Sequence, residues 1–293
     1  MKKPYFWLKK QTMPAIHELE KIAAQVRRDV LRMVHAVQSG HPGGALGATE
    51  FMVALYFEIM NHRPDNFTME GSDEDLFFLS NGHLSAAWYS VLARSGYFNI
   101  QELSTFRKLN SRLQGHPATA EGIPGVRIAS GSLGQGLSVS IGAAVSKKLN
   151  GDKGLVFTLM GDGEMDEGQI WEASMYAAGK KVDNLIATID NNGQQIDGPT
   201  DKVMPLGSLK NKWEAFGWDV IEMPGNDMTI VVEGLNNARQ RCGKGKPVAI
   251  IMHSEMGHGV DFMAGTHHWH GVPPDNDQLA RALAQLEESL GDY

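Results

Sequence analysis

Two short segments carry the residue types that hold a divalent ion and a diphosphate. Gly161-Asp162-Gly163-Glu164-Met165-Asp166-Glu167-Gly168 offers the carboxylate of Asp162, and Asp190-Asn191-Asn192-Gly193 offers the amide oxygen of Asn192. A backbone carbonyl just beyond Asn192 would complete three oxygen ligands. Mg²⁺ favours this mixture, with phosphate oxygens and water filling the other positions. The glycines let main chain approach a ligand closely, and a helix beginning after Gly168 would aim free N–H groups and its positive dipole end at it. Either segment alone is an ordinary turn sequence. Together they gain meaning because each directly follows a strand-like run.

Histidines recur in four glycine-rich contexts: Ser39-Gly40-His41-Pro42-Gly43-Gly44, Ser80-Asn81-Gly82-His83, Gln114-Gly115-His116-Pro117 and Gly265-Thr266-His267-His268-Trp269-His270-Gly271. A single histidine beside glycine is usually a loop residue, but four such loops are harder to dismiss. Imidazoles at a rim donate hydrogen bonds to phosphate and sugar hydroxyls and exchange protons near neutral pH. His17, His35, His62 and His253 fall in expected helices, a strand or a polar turn and read as structural. His258, in Met256-Gly257-His258-Gly259-Val260, is a looser candidate near the mouth of the site.

The elements that must position these groups follow from hydrophobic periodicity. Residues 155–160 and 184–190 are strand-like and flank a helical stretch at 169–180, the βαβ unit of a parallel sheet with a right-handed crossover expected. Ligands in such sheets bind beyond the carboxyl ends of the strands, which puts both segments on one rim. Further strands are expected at 75–80, 218–223 and 248–253. Helices are expected at 14–37, 48–60, 85–95, 137–149, 206–216, 228–241 and 277–290, and a long functional loop at 110–136. The fold class is therefore α/β, a parallel sheet flanked by helices in one domain over 1–293 with an N-terminal helical arm.

Composition narrows the function. The chain has 293 residues, of which 42% are hydrophobic, so it can bury a full core, and disorder or a collagen-like structure is excluded. A net charge of −7 argues against a nucleic-acid partner, because phosphate-backbone affinity needs a concentrated basic face. The basic start, MKKPYFWLKK, lacks the apolar centre and cleavage site of a signal peptide and reads as a solvated or partner-contacting arm. No apolar run approaches the ~20 residues that cross a bilayer, so no membrane role is expected. The single cysteine, Cys242, cannot form an internal disulfide, and a cytoplasmic location follows as the expectation.

The segment GDGEMDEGQIWEASMYAAGKKVDNLIATIDNNGQQIDG resembles the thiamine-diphosphate signature in its transketolase version. SGHPGG, LSNGH, QGHP, GSLGQG and GTHHWHG occur in that family's order, so the resemblance runs from about residue 15 to about residue 275. It implies Asp162, Asn192 and the main-chain oxygen of Gln194 as ligands of Mg²⁺, with Ca²⁺ or Mn²⁺ as substitutes. It further implies that Gly163 contacts the diphosphate, that His83 and His267 lie near it, and that Gly131 and Leu133 meet the pyrimidine side of thiamine diphosphate. His41, His116 and His267 would face the sugar, with His270 a weaker candidate and His268 weaker still. Glu167 and Glu172 read equally well as carboxylates favoured by a helix N-terminus; the resemblance places them at a subunit interface, Glu167 more firmly. The chain departs from the family pattern at Ser132, where proline is common, at Asn191, where aspartate is common, and at Gln194, where an aliphatic residue is usual.

In that family the glutamate that activates the cofactor and the aromatic clamp on its ring belong to a second α/β domain, and these residues match only the first. The resemblance therefore implies the N-terminal subunit of a split transketolase of the pentose phosphate pathway. A separate C-terminal subunit, bearing the pyrimidine-binding domain, would complete an α₂β₂ heterotetramer that moves a two-carbon ketol unit from a ketose phosphate to an aldose phosphate. Alternatives are a 1-deoxyxylulose-phosphate synthase or pyruvate dehydrogenase component, which GDGEMDE resembles, a specialised sugar ketol transferase, and a non-catalytic cofactor-binding module. Retention of the substrate-side histidines argues against the last.

Overall fold

The structure, a computed structural model, describes residues 15–293, so the basic arm expected at the N-terminus lies outside the described residues. Helix α1 (Ile16–Val37) forms where apolar residues recur every three or four positions, and Leu19, Ile22, Val26, Val30 and Val34 are all buried. It stops at Gln38, which takes a left-handed conformation and returns its N–H to the His35 carbonyl.

The helix expected over 48–60 is divided. Helix α2 (Pro42–Gly47) starts earlier, α3 (Thr49–Ala54) follows, and a π turn (Leu55–Ile59) ends the run. Packing explains the early start, since α2 is buried throughout against the segment 255–269. A Cβ on Gly43 would lie 2.8 Å from the Trp269 carbonyl, and one on Gly47 2.7 Å from the Glu255 carbonyl. Glycines that read as loop thus serve a close helix contact.

Strand β1 (Leu76–Leu79) leads to α4 (Ser85–Arg94), and α5 (Gly136–Leu149) opens after an irregular stretch anchored by buried Leu113, Ile123, Val126 and Ile128. Then come β2 (Val156–Gly161), α6 (Gly168–Gly179) and β3 (Leu185–Asp190). A short antiparallel hairpin, β4 (Gln194–Gln195) and β5 (Gly198–Pro199), and the single turn α7 (Thr200–Val203) were not expected. Helix α8 (Leu209–Ala215) is shorter than 206–216, because Ser208 caps it by accepting the Asn211 N–H. Strand β6 (Asp219–Pro224), α9 (Met228–Arg241), β7 (Val248–His253) and α10 (Asn276–Gln285) complete the chain. The last helix ends five residues before the expected 290. Arg28 of α1 takes the Leu283 and Leu286 carbonyls (2.9 and 3.0 Å) and pairs with Asp292, folding the tail back along α1.

The five main strands pair in parallel in the order β1-β2-β3-β7-β6. The continuous apolar runs of β1, β2, β3 and β7 are those of a sheet covered on both faces, whereas the edge strand β6 alternates, and one buried cluster links the sheet to the flanking helices. The α5–α6 pair and the group α1, α3, α4 and α9 are the main helical packings. Cys242 follows α9, half-buried, with its thiol pushed up to about 12 by burial. Among the described residues no helix is long and apolar enough to cross a membrane.

One buried ion pair joins α1 to α4. Arg94 grips Asp29 with two bonds (2.5 and 2.8 Å), and the Ser90 hydroxyl adds a third at 2.6 Å. Asp29→Ala strands a guanidinium in the core and should lower unfolding free energy by roughly 3–5 kcal/mol in urea titrations. Asp29→Leu combined with Arg94→Met should recover most of that loss.

Candidate active site

The parallel register sets Gly161 of β2 opposite Asp190 of β3, so the loops after these strands leave the sheet side by side. Asp162 is 2% exposed and straddles both loops, accepting the Gly163 N–H at 2.8 Å and the Gly193 N–H at 2.6 Å. Asn192 donates its amide N–H to Asp190 at 3.1 Å, which orients its oxygen away from that carboxylate. The Ser254 hydroxyl also donates to Asp190. Neither Asp162 nor Asp190 forms an ion pair among the described residues. Burial, with the Asp190 charge beside it, holds the Asp162 carboxyl well above the ordinary carboxylate range, and burial raises Asp190 as well. Two buried carboxylates without a cation, with the side-chain oxygen of Gln194 buried and unpartnered nearby, fit a divalent ion. No trio of histidine, cysteine or carboxylate residues among the described residues could hold one. An ion here must therefore use amide, carbonyl and phosphate oxygens, a hard donor set.

The histidines come from four elements. His41 precedes α2, His83 sits in the turn after β1, His116 lies in the irregular stretch and His270 follows the turn His267–Trp269. The His41 ring lies 5.1 Å from His83, 6.1 Å from His116 and 5.7 Å from His270, centroid to centroid, and His83 lies 5.2 Å from His270. Burial pushes His41 down to about 4, helped by charge on His270, Arg107 and His116, and lowers His83, His116 and His270 too. These imidazoles are neutral at pH 7. The Nδ1 atoms of His41 and His270 are buried without partners.

All of this borders one cavity of about 260 Å³. It brings together the expected His41, His83, His116, Gly131, Leu133, Asp162, Gly163, Asn192 and Gln194. Gly131, at φ 140°, lies so close that a Cβ would sit 3.0 Å from the His116 ring. His267 is not among the lining residues: its ring packs on His268 at 4.4 Å, and His270 enters the cavity instead. Trp269, between them, is anchored by its Nε1 bond to the Phe262 carbonyl (2.9 Å). Glu167 and Glu172 stay exposed at the start of α6, outside the cavity, and His258 pairs with Glu255 away from it. Residues not singled out from sequence also line it, notably Asn81, Glu164, Asp190 and Ile196, although all four lie within the quoted segments, Asn81 in LSNGH and the others within 161–198. A larger groove of about 1000 Å³ lies at the opposite ends of the strands. There Lys148 pairs with Asp183 and Lys147 with Asp152.

The lowered histidine pKa has a definite sign. A base whose folded pKa lies below its unfolded value of about 6.5 contributes stability above that pH, and the contribution is lost as pH falls from 6.5 through 4. The raised carboxyls act oppositely over an overlapping range, so the comparison must be between variants. His41→Gln should lose less melting temperature than the wild type between pH 7 and pH 5. Equal losses in a thermal-shift titration would contradict the buried, neutral His41.

Comparison with known proteins agrees with this geometry. The family model described as transketolase, thiamine diphosphate binding domain, matches residues 19–290. An apulose-4-phosphate transketolase subunit of Actinobacillus succinogenes is 36% identical over 92% of this chain and 96% of its own. A 6-deoxy-6-sulfo-D-fructose transketolase subunit of Clostridium sp. (strain MSTE9) is 36% identical over 92% of this chain and 97% of its own. The crystal structure of transketolase from Campylobacter jejuni superposes with a TM-score of 0.85 at 31% identity, covering 95% of this chain and 43% of that one. The chain thus spans about two fifths of the full-length enzymes. With its metal-type carboxylate turn, its glycine-rich loop and its histidine rim at the ends of one parallel sheet, this chain belongs to the transketolase family, whose thiamine-diphosphate-binding domain it carries.

Proposed function

We propose that this chain is the N-terminal subunit of a two-component transketolase, transferring a two-carbon ketol unit from a ketose phosphate to an aldose phosphate. The observation that carries the reading is the meeting, in one cavity, of the Asp162–Asn192 pair with four neutral imidazoles. A cofactor-binding module needs only the former. Exchange of protons with sugar hydroxyls needs the latter.

Asp162, the Asn192 oxygen and the Gln194 carbonyl hold Mg²⁺, or Ca²⁺ or Mn²⁺ in its place, and Gly163 and His83 face the diphosphate. Metal binding requires Asp162 to ionise, which a neighbouring divalent charge restores. Thiamine diphosphate, when bound, supplies the carbon nucleophile and electron sink that ketol transfer needs. His41, His116 and His270 accept protons from the sugar hydroxyls and return them, and their neutral state makes them competent acceptors. Gly131 and Leu133 border the pyrimidine side. Of the two outer histidines expected to face substrate, the role falls to His270 rather than to His267.

A second subunit bearing the pyrimidine-binding domain completes the site. Support comes from the short relatives that are themselves named as transketolase subunits. This chain matches the Actinobacillus succinogenes protein over 96% of its length, against 43% for a transketolase such as the human enzyme. Val139 on α5 and Met175 and Tyr176 on α6 are exposed apolar side chains available for pairing two copies, and Glu167 is exposed at the start of α6. Ile196, which lines the cavity, and Val203 and Met204 at the end of α7 are exposed as well. We assign an α₂β₂ assembly on these grounds, in the cytoplasm and acting on sugars of the pentose phosphate class.

The test is reconstitution with the neighbouring-gene product, Mg²⁺ and thiamine diphosphate. Donors should include xylulose 5-phosphate, apulose 4-phosphate and 6-deoxy-6-sulfo-D-fructose, with pyruvate decarboxylation as the contrasting reaction. Failure of ketol transfer with every donor, despite a formed complex, would falsify the reading. Asp162→Ala should abolish metal-dependent cofactor binding in calorimetry. His116→Ala should leave that binding intact and lower kcat by roughly 10²-fold or more.

A further inference from the structure

Glu164 lies within the Gly161–Gly168 segment, yet the metal and histidine roles leave it unused. Its side chain is 1% exposed. A buried carboxylate is costly unless hydrogen bonds compensate it. Here every bond goes to a different wall of the cavity. Oε1 accepts the Gly134 N–H at 2.8 Å and the Ser80 hydroxyl, and Oε2 accepts the Gly161 N–H at 3.2 Å. The same Ser80 oxygen, itself fully buried, accepts the Gly136 N–H at 3.1 Å. Gly136 packs directly on the Ser80 side chain, leaving no room for a Cβ.

The loop 131–136 is otherwise weakly held. It leaves an irregular stretch, contains glycines at φ 140° and 87°, and has exposed residues at Ser132 and Gln135. Its inward positions, Gly131 and Leu133, line the cavity, as do Asn81 and His83 just after Ser80 and Gly161 to Gly163 just before Glu164. One carboxylate therefore ties together the loop after β1, the loop after β2 and the loop before α5.

We propose that Glu164, acting through Ser80, is a positioning residue that fixes the 131–136 loop against the diphosphate turn, so that the cofactor's two ends meet preformed walls. The identity of the ligand rests on the functional reading above; the clasp itself does not. Loosening the loop should weaken cofactor capture, because the ordering now built into the free protein would have to occur on binding. The neutral imidazoles and the Asp162 turn would remain, so turnover at saturating cofactor should be nearly unchanged.

The decisive variants are Glu164→Met, which keeps length and removes every acceptor, and Ser80→Ala, a milder change should the first fold poorly. Hydrogen–deuterium exchange on the full chain should show amides of 134–136 exchanging about tenfold faster or more, with peptides of α1 and β3 unaltered. In the two-subunit enzyme, KM for thiamine diphosphate should rise about tenfold or more while kcat changes less than threefold. Unaltered exchange at Gly134 and Gly136 in both variants overturns the proposal, as does a fall in kcat at constant KM. Should the wild-type pair make no use of thiamine diphosphate, the functional reading fails while the exchange measurement alone decides whether the clasp exists.

Discussion

The register of β2 against β3 governs the chemistry of this protein. Pairing Gly161 with Asp190 brings two turn segments within bonding distance, and Asp162 closes the gap by accepting an N–H from each. A slip of the pairing would carry Asp162 away from Gly193 and separate Asn192 from it. The strands hold the register because their apolar runs are buried on both faces. The site thus inherits its precision from the core and not from the loops that form it.

Burial then sets the charge state on both sides of the cavity. The same low polarity that raises Asp162 and Asp190 lowers His41, His83, His116 and His270. A divalent ion bound as proposed would reverse the first effect locally, by supplying the missing positive charge, and would leave the imidazoles neutral. One desolvated cavity therefore favours a metal at one wall and proton acceptors at the other. Arg107, bonded to Ser39 at 2.9 Å, adds a positive charge behind His41 and His116 that acts in the same direction.

Close approach of backbone to backbone brings the distant histidines in. Helix α2 lies flat on the segment 255–269 through Gly43 and Gly47, carrying His41 toward Trp269 and so toward His270. Gly131 instead brings main chain against the His116 ring itself. Glu164 joins these loops where side chains too small to pack could not. Val139, Met175 and Tyr176 on α5 and α6, and Ile196 in the hairpin after β3, remain exposed apolar side chains on which the proposed assembly would draw.

Local sequence determined much of this. The βαβ unit, the metal-type turn at Asp162 and Asn192, and the glycine-flanked histidines were legible because each depends on a pattern only a few residues long, such as alternation, a turn or a helix start. Packing between distant segments decided the rest. His267 and His270 share one local context, and only the packed structure shows that it is His270 that lines the cavity. Glu164 has the look of a solvated carboxylate at a helix start, and becomes a buried clasp only when Ser80 and Gly134 arrive from 84 and 30 residues away. The glycines of 43–47 read as a loop and form a helix, because the surface they must fit belongs to residues 255–269. Sequence specifies what a segment prefers; which of its side chains is desolvated, and against what, is fixed when the sheet brings remote segments together.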